Sequence, residues 1–450
     1  MYDNYILKIL EFQGSDIEFY DVNAVDIKGV KTICVYARIK NKDNSVVTCP
    51  ECGSISIYKK SYSVRTIRHL STFKCPCIVK LTQKRYQCKD CKKTFNETSS
   101  FVKKRCRISN DVKLAIIDEC RKKQSFEDVA ERLNISTYSV EKEFDSNVAI
   151  ERNNLSSVIC IDEFKADTNY GKYALIIGNP VNGEILDILP KRTQDYLFYY
   201  FNLINVKERD NVEYYITDLF ESYRTIHRVF FPNSVHIADR FHWIRIATKA
   251  FNDTRIKEMN YIKKKAELKC NIEDRNELMH MYTIIKSNYR ILLANKYKKE
   301  PAYFDTEMRA CISGIENPTI QDILEYILNN NETIKEAYDL LQSIYKIASL
   351  STFEGFIEDL NGWFNEVKQT NNIFFKSVMN TYKSWKTEIR NSFIINQLTK
   401  TRLTNGFIEG KNNLCKVVKR VGFGFKNFDV LRNRIMYEGN KELTITNKNK

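Results

Sequence analysis

The chain has 450 residues, of which 43% are hydrophobic, and this length is sufficient for several globular domains with a sizeable core. No run of about 18 uninterrupted apolar residues occurs, and no basic region followed by an apolar one opens the sequence. We therefore expect no membrane span, no secretory signal and a cytoplasmic protein whose 13 cysteines are thiols or metal ligands.

The net charge of +15 is concentrated in one block. Residues 59–107 hold 15 Lys or Arg and two acids, Asp90 and Glu97, which gives a local charge of 15 − 2 = +13. Such a block usually binds a polyanion, because each neutralised phosphate releases condensed counterions. A merely solvated basic surface is the alternative.

Residues 1–45 are predicted to be a small N-terminal adaptor. Apolar periodicity indicates a helix over 5–12 and strands over 17–25 and 30–39. No chemistry can be assigned to this segment.

Residues 46–107 contain two CxxC knuckles and are predicted to be a zinc-binding, DNA-binding module. The ligands would be Cys49, Cys52, Cys88 and Cys91. Each knuckle places two thiolates on one tight turn, and a tetrahedral Zn²⁺ needs two such turns. Four thiolates close the coordination sphere, so the role of this Zn²⁺ is structural. The intervening Cys75-Pro-Cys77 fits a strand better than a ligand pair.

Residues 108–150 are predicted to form a helix-turn-helix. A first helix spans 110–123, a capping box opens the second at Ser125, and Asn134 occupies the turn. Ser136 would cap a recognition helix over 137–144, whose outward positions include Tyr138, Ser139 and Lys142. An ordinary three-helix bundle is the alternative.

Residues 155–242 change to a strand period. A strand over 157–161 is predicted to end at Asp162, followed by a hairpin (173–178 and 184–189) and a helix over 194–206. A strand over 212–217 ends at Asp218, a helix spans 220–230, and a strand over 234–238 leads to Asp239 and His242. This order predicts a ribonuclease H-like mixed sheet with acids on adjacent strand ends.

Residues 243–400 are predicted to be an all-helical insertion, with helices over 284–297, 320–329 and 334–348 and with Trp363 and Trp385 in its core. Residues 401–437 return to the catalytic domain through a helix with one apolar face. Its polar face carries Glu409, Asn412, Lys416, Lys419 and Arg420. A polar tail over 441–450 is predicted to be disordered. The fold class is thus multidomain α/β.

Three carboxylates from this pattern would form a metal site. DNA cleavage and joining are in-line displacements at phosphorus, in which two Mg²⁺ (or Mn²⁺) ions activate one oxygen and stabilise the other. Asp162 would bridge both ions, and Asp218 and Glu409 would hold one each. Lys416, Lys419 and Arg420 would contact phosphates, while strand alternation turns Glu163 to the other side.

The motifs Ile161-Asp-Glu-Phe164, Thr217-Asp218, 231–233, 239–243 and 405–413 together resemble the ISL-three family of insertion-sequence transposases, a DDE family. The resemblance implies Asp162, Asp218 and Glu409 as the catalytic triad and Asp239 with His242 as an accessory pair. His242 would contact the scissile phosphate or orient an acid; a purely structural histidine is the alternative. The turn at 169–173 departs from the family because it lacks the usual histidine.

The same resemblance implies a nucleoid-associated prokaryotic protein that binds terminal inverted repeats and target DNA as a homo-oligomer. Two other functions stay open. One is a catalytically inactive, transposase-derived DNA-binding regulator, against which the intact triad argues. The other is a ribonuclease H-like nuclease without strand transfer, which would yield cleavage but no joined product.

Overall fold

The computed structural model describes residues 16–40, 47–72, 75–308, 311–312, 315–397, 400–422, 424–440 and 445–446. The helix predicted over 5–12 lies outside this part of the chain. The chain divides into two compact units. Unit 1 comprises 1–151, 166–169 and 414–450, and unit 2 comprises 152–165 and 170–413.

The secondary structure alternates between strand-rich and helix-rich segments. The elements up to residue 150 are β1 Ile17–Ile27, β2 Val30–Ile39, β3 Ile57–Thr72, β4 Cys75–Cys88, β5 Thr94–Asn96, α1 Asn110–Glu119, α2 Phe126–Leu133, α3 Thr137–Asn147 and β6 Ala149–Ile150. Those from 158 to 238 are β7 Val158–Thr168, β8 Gly171–Asn179, β9 Glu184–Leu189, α4 Gln194–Asn202, α5 Val206–Asp210, β10 Tyr214–Thr217, α6 Glu221–Phe230 and β11 Val235–Ala238.

The remainder of the described chain is mostly helical. Its elements are α7 Arg240–Glu267, α8 Ile272–Ser287, α9 Tyr289–Leu292, α10 Pro301–Phe304, β12 Cys311–Ile312, β13 Ile315–Glu316, α11 Ile320–Asn329, α12 Glu332–Leu350, α13 Phe356–Gln369, α14 Ile373–Ser384, α15 Lys386–Asn391, α16 Gly406–Val421, α17 Phe428–Gly439 and β14 Ile445–Thr446.

Unit 1 contains a sheet in the order β1-β2-β4-β3, with β5 beside β4. Strands β2 and β4 run parallel, with residues 33–38 opposite 77–82. The core of this sheet includes Val35, Ile67 and Val79. The predicted boundary at residue 45 therefore does not separate an adaptor from the zinc module, because strands from both sides of it share one sheet.

The three helices predicted within 108–150 are present, and α2 and α3 have the predicted caps. Ser125 and Asp128 make a reciprocal capping box at the start of α2, and Asn134 ends α2 in the left-handed region with φ of 51°. Ser136 accepts from the backbone N–H of Ser139 at the start of α3. The first helix ends at Glu119, earlier than predicted, with Cys120 as its C-cap.

The C-terminal residues of unit 1 pack on this helical module. The Arg434 guanidinium donates to the carbonyl of Gln124 at 2.7 Å, and Asn433 donates to the carbonyl of Val148 at 2.9 Å. Strand β14 pairs with β6. The prediction of a disordered tail is therefore wrong at 445–446, because these residues find an antiparallel partner strand; the rest of 441–450 lies outside the described residues.

Unit 2 contains a five-stranded sheet in the order β11-β10-β7-β8-β9. Strand β10 is parallel to both β11 and β7, and β8 is antiparallel to β9. The prediction that the first strand ends at Asp162 is wrong: β7 continues to Thr168, and its neighbour β8 begins after the turn at Asn169–Tyr170. Asp162 lies where the pairing of β7 with the shorter β10 stops.

Two predicted helices of unit 2 are interrupted. The helix predicted over 194–206 breaks because the Asn205 side chain accepts from Lys207 N–H at 2.9 Å and starts α5. The helix predicted over 284–297 breaks at Asn288, whose backbone N–H and side-chain amide both donate to the Ile284 carbonyl.

A large helical core follows the sheet in unit 2. Trp363 and Trp385 are buried in it, as predicted. The helices over 320–329 and 332–350 are present. The region is not all helical, because β12 and β13 form a small antiparallel pair. Within the part of the chain that the structure describes, no helix combines the length and apolarity that a bilayer span requires.

Candidate active site and metal centre

The four predicted zinc ligands come together at one end of the unit 1 sheet. The sulfur atoms of Cys49, Cys52, Cys88 and Cys91 all lie within 4.8 Å of one another. Cys88 is the last residue of β4, and the antiparallel register places it opposite Ile57 at the start of β3. The β3–β4 ladder thus brings the second knuckle to the residues that follow the first.

Backbone amides of the knuckles favour the thiolate form of two sulfurs. N–H groups of Glu51 and then Cys52 lower the pKa of Cys49. The N–H group of Cys91, followed by that of Asp90, lowers the pKa of Cys88 to about 7. Burial and hydrogen bonds with neighbouring sulfurs raise the pKa of the other thiol of each knuckle, Cys52 and Cys91. Each knuckle thus offers one sulfur that favours the thiolate form, the form in which sulfur binds a structural Zn²⁺.

Asp162 is the centre of a carboxylate cluster in unit 2. Its Oδ1 accepts from the backbone N–H of Glu163 at 2.8 Å, and its Oδ2 accepts from the Asn412 side chain at 2.9 Å. Burial raises the pKa of Asp162, and the carboxylate of Asp239 adds to this, whereas His242 and Asn412 oppose it. The carboxylate is therefore held in a fixed orientation and is mostly shielded from water.

Asp218 follows β10 directly and is only half-exposed. Burial raises its pKa to about 6, and repulsion from Glu163, Asp162 and Asp239 contributes. The buried Oδ1 of Asp218 has no hydrogen-bond partner among the described residues. An orphaned oxygen in a group of like charges is the arrangement that a bound cation would relieve.

The accessory pair has two different environments. Asp239 is buried, and its Oδ1 accepts from the backbone N–H of Asn405 at 2.9 Å. The backbone N–H of Asp239 donates to the Thr217 carbonyl at 2.7 Å. Asp239 therefore connects the residue before Asp218 to the start of α16. His242 is half-buried and lowers the pKa of both Asp162 and Asp218.

Helix α16 carries Glu409 in its first turn, one turn before Asn412. Asn412 contacts Asp162, so the face of α16 that bears Glu409 is turned towards the cluster. Glu409 itself is exposed, and among the described residues it makes no hydrogen bond or ion pair with Asp162 or Asp218. The structure thus brings the two aspartates together and leaves Glu409 on the adjoining helix face.

Glu163 has a structural environment. Its carboxylate pairs with the Arg192 guanidinium and accepts from the Tyr223 hydroxyl at 2.9 Å. These contacts give Glu163 a structural role.

Sequence reasoning did not assign roles to Asn405 or Asn412. Both belong to the motif that carries Glu409. The helical pattern placed Asn412 on the same polar face as Glu409, but it did not indicate that Asn412 contacts Asp162.

The side chains that were predicted to contact DNA differ in their exposure to solvent. Tyr138 and Lys142 of α3 are exposed, but Ser139 is half-buried and its hydroxyl is hydrogen-bonded to Ser136 within the cap. Ser139 is thus less exposed than Tyr138 and Lys142, and its contact with DNA stays a prediction. Within unit 1, Lys416 and Arg420 are exposed, whereas Lys419 forms an ion pair with Asp167 at 2.8 Å.

The carboxylate cluster suits a hard divalent cation. Asp162 and Asp218 supply carboxylate oxygens, and Asn412 supplies a second buried oxygen, Oδ1, that lacks a partner among the described residues. Oxygen ligands of this kind are those that Mg²⁺ and Mn²⁺ prefer. The residues present therefore fit a hard divalent cation such as Mg²⁺ or Mn²⁺.

Comparison with known proteins gives three matches. The ISL3 model of DDE transposases, described as "Transposase", matches residues 159–435. A model described as the zinc-finger of transposases IS204, IS1001, IS1096 and IS1165 matches residues 45–91. The transposase for insertion sequence element IS1001 of Bordetella parapertussis is 19% identical over 420 residues, covering 91% of this chain and 93% of that protein.

The matched ranges coincide with the two sites. The zinc-finger match ends at the fourth cysteine ligand, and the transposase match contains Asp162, Asp218, Asp239 and Glu409. An α/β chain with a cysteine metal centre and a buried acid cluster is in this context a nucleic-acid-handling enzyme. The chain belongs to the ISL-three family of DDE transposases.

Proposed function

We propose that this transposase cuts the ends of its insertion sequence and joins them to target DNA at the carboxylate cluster of unit 2. Asp162, Asp218 and Glu409 would be the catalytic triad and would hold two Mg²⁺ or Mn²⁺ ions. The observation that carries the proposal is the half-buried, mutually repelling pair Asp162 and Asp218, in which Oδ1 of Asp218 has no hydrogen-bond partner among the described residues.

The order of the unit 2 sheet supports a ribonuclease H-like catalytic fold. Two acids, Asp162 and Asp218, come from the neighbouring strands β7 and β10, and Glu409 comes from α16. In this proposal 155–242 and 401–437 form the catalytic domain, and 243–400 is an insertion between the second and third triad residues. The zinc module and α3 of unit 1 would bind the terminal repeats through Tyr138 and Lys142.

Bound ions would supply Lewis-acid stabilisation of the attacking and leaving oxygens. The residues of the chain do the rest. Asn412 fixes the rotamer of Asp162, and Asp239 fixes the start of α16 through Asn405. His242 adds positive charge close to both aspartates when protonated, which suits contact with a phosphate or orientation of an acid.

A nicking assay tests the catalytic assignment. Duplex DNA carrying the inverted repeat that flanks the coding sequence is incubated with Mg²⁺ or Mn²⁺ and with wild type, Asp162→Asn or Asp218→Asn. We expect each substitution to lower cleavage by at least about 1,000-fold, because a metal ligand is lost. Asp195→Asn, which removes an exposed carboxylate of α4, is the matched control and should cut like wild type.

The outcomes separate the alternatives. Equal cleavage by wild type and Asp162→Asn would reject the cluster as the active site. End binding without any wild-type cleavage would favour an inactive regulator, and cleavage without a joined product would favour a nuclease. End binding itself is tested with Lys142→Ala against Lys257→Ala, an exposed lysine of α7.

A further inference from the structure

One guanidinium at the start of α7, on the residue that follows Asp239, has no partner of opposite charge among the described residues. Arg240 is the first residue of α7 and follows Asp239 directly, and its side chain is half-buried. Within the part of the chain that the structure describes, its guanidinium forms no ion pair and donates no hydrogen bond. A shielded cation normally finds an acid or a set of carbonyl groups, so this side chain requires an explanation.

A second arginine lies against the same aromatic ring. The guanidinium carbons of Arg240 and Arg402 are 5.8 and 4.7 Å from the centre of the Phe393 ring. Arg402 is anchored, because it donates to the carbonyl oxygens of Ala348 at 3.3 Å and Ser351 at 3.0 Å. Arg240 has no such anchor, and its planar donors are available to another molecule.

The two cations destabilise each other in the absence of an anion. Burial, and secondarily the charge of Arg402, lowers the pKa of Arg240 to about 10. A bound anion would reverse both effects. The pair thus has unfavourable electrostatics of the kind that a bound anion would relieve.

We propose that Arg240 and Arg402 form a phosphodiester-binding site that holds the DNA strand alongside the carboxylate cluster, with Arg240 as the direct ligand of a phosphate. The position of Arg240 favours a nucleic acid phosphate over a protein carboxylate, because Arg240 follows Asp239, which fixes the start of the helix that carries Glu409. The forked guanidinium donors have the geometry to hold the paired oxygens of such a phosphate.

This proposal rests on the proposed function, because a strand must lie in the carboxylate cluster for its neighbouring phosphate to reach Arg240. Arg240 would be a binding residue and would not take part in the displacement itself. Its effect would be to set the register of the strand. Loss of Arg240 would then weaken one phosphate contact without altering the affinity of the zinc module and α3 for the repeat.

A phosphate-by-phosphate binding scan tests the assignment. Full-length, zinc-loaded wild type and Arg240→Gln are titrated without divalent metal against end duplexes, each carrying one neutral methylphosphonate near the cut. At one or two positions we expect neutralisation to weaken wild-type binding about 10-fold and Arg240→Gln binding less than about 2-fold, because the partner is already absent. The salt dependence of log K should also lose about one unit of slope.

The same binding scan is applied to a control variant at an arginine outside the proposed site. Arg275→Gln, at an exposed arginine of α8, should keep the wild-type pattern at every position. If Arg240→Gln melts early, Arg240→Lys retains the charge, loses the fork and should show a partial effect at the same phosphates. Equal sensitivity of wild type and Arg240 variants at all positions would overturn the proposal. Because the scan measures binding, its result does not depend on whether Asp162→Asn abolishes cleavage.

Discussion

Gly178 illustrates how one residue of unit 2 controls the position of another. A Cβ at this β8 position would lie 2.7 Å from Cε1 of Phe407 and 3.1 Å from the Glu184 carbonyl oxygen. Phe407 belongs to the first turn of α16, two residues before Glu409. Because Gly178 has no side chain, the Phe407 ring can pack against this position of β8. This packing fixes the first turn of α16.

Gly178→Ala should displace Phe407 and with it the first turn of α16. We expect cleavage to fall at least about 10-fold while stability changes by only about 1–3 kcal/mol, as for other overpacked sites. Gly362→Ala is the matched control, since a Cβ there meets no atom within 4 Å and alanine favours the interior of α13. Adding Phe407→Leu should restore part of the activity; a fully active Gly178→Ala would contradict this account.

His69 should make the stability of unit 1 depend on pH. Burial lowers its pKa to about 4, and the Ser109 hydroxyl lies 2.8 Å from its Nδ1 while accepting from the N–H of Val112. The folded state thus favours the neutral ring. The contribution of His69 to the free energy of unfolding is complete above pH 6.5. It decreases by up to about 3 kcal/mol as pH falls from 6.5 towards 4, because the unfolded state then binds the proton more readily than the folded state.

The histidine's share is measured by comparing unfolding of wild type and His69→Asn at pH 7.5, 6 and 5, each with zinc bound. Asparagine keeps a polar atom near Ser109 but does not titrate. The variant should therefore lose less stability than wild type between pH 6.5 and 5. Parallel slopes for the two proteins would show that His69 is not the titrating group.

Single residues of the site could be predicted only where a local sequence pattern indicates their chemistry. Asp162 and Asp218 were recognisable because each follows a run of apolar strand residues, and the structure couples them electrostatically. Asn405 and Asn412 were not assigned, because the sequence gives a helix face but not the atoms that face it across the fold. The unpartnered Arg240 could be recognised only from the environment of its side chain.

At the scale of elements, local patterns predicted well and long-range pairing did not. The zinc knuckles and the α2 capping box depend on residues a few positions apart, and both form as predicted. The parallel pairing of β2 with β4 joins segments with no local signal for each other, so a domain boundary was placed between them. The end of β7 was misplaced for the same reason, since its length follows from pairing.

At the scale of elements, the testable prediction concerns the zinc content of the cysteine cluster. Wild type should contain about one Zn²⁺ per chain, and Cys49→Ser with Cys52→Ser should contain none, because two thiolates of four are removed. Cys75→Ser is the matched control: this half-buried thiol begins β4 and should leave the zinc content unchanged. Metal analysis of the purified proteins measures the zinc content. Loss of zinc from Cys75→Ser, or retention of zinc by the Cys49→Ser, Cys52→Ser double variant, would show that the ligand set is a different one.

On the scale of the whole molecule, the order of the chain does not follow the order of the units. Unit 1 combines the first 151 residues with 166–169 and with 414–450, which follow most of unit 2 in sequence. Within unit 1, the Arg434 guanidinium is 5.2 and 5.8 Å from the ring centres of Phe126 and Phe144, the aromatic residues of the helix-turn-helix core. An N-terminal fragment ending at 151 would therefore lack part of the core around α1–α3, the proposed DNA-binding helices.

Arg434 and Glu438 provide the test of this dependence. Their side chains are only 2% and 3% exposed and pair at 2.8 Å, yet burial still raises the pKa of Glu438 to about 7. Arg434→Met removes the cation and leaves the buried carboxyl unpaired, which should cost about 3 kcal/mol and increase hydrogen exchange over 110–147. End binding should weaken with this loss of stability, although residue 434 is far in sequence from α3, the proposed recognition helix.

The double variant Arg434→Met with Glu438→Leu separates the charge from the packing. An apolar pair fills similar space without a buried ion, so it should recover most of the lost stability and of the hydrogen-exchange protection. Recovery would show that α17 supports the helix-turn-helix chiefly through its volume, and that the ion pair mainly avoids an isolated buried charge. If the single variant left exchange over 110–147 unchanged, the C-terminal helix would be dispensable for the DNA-binding module, and an N-terminal fragment would fold without it.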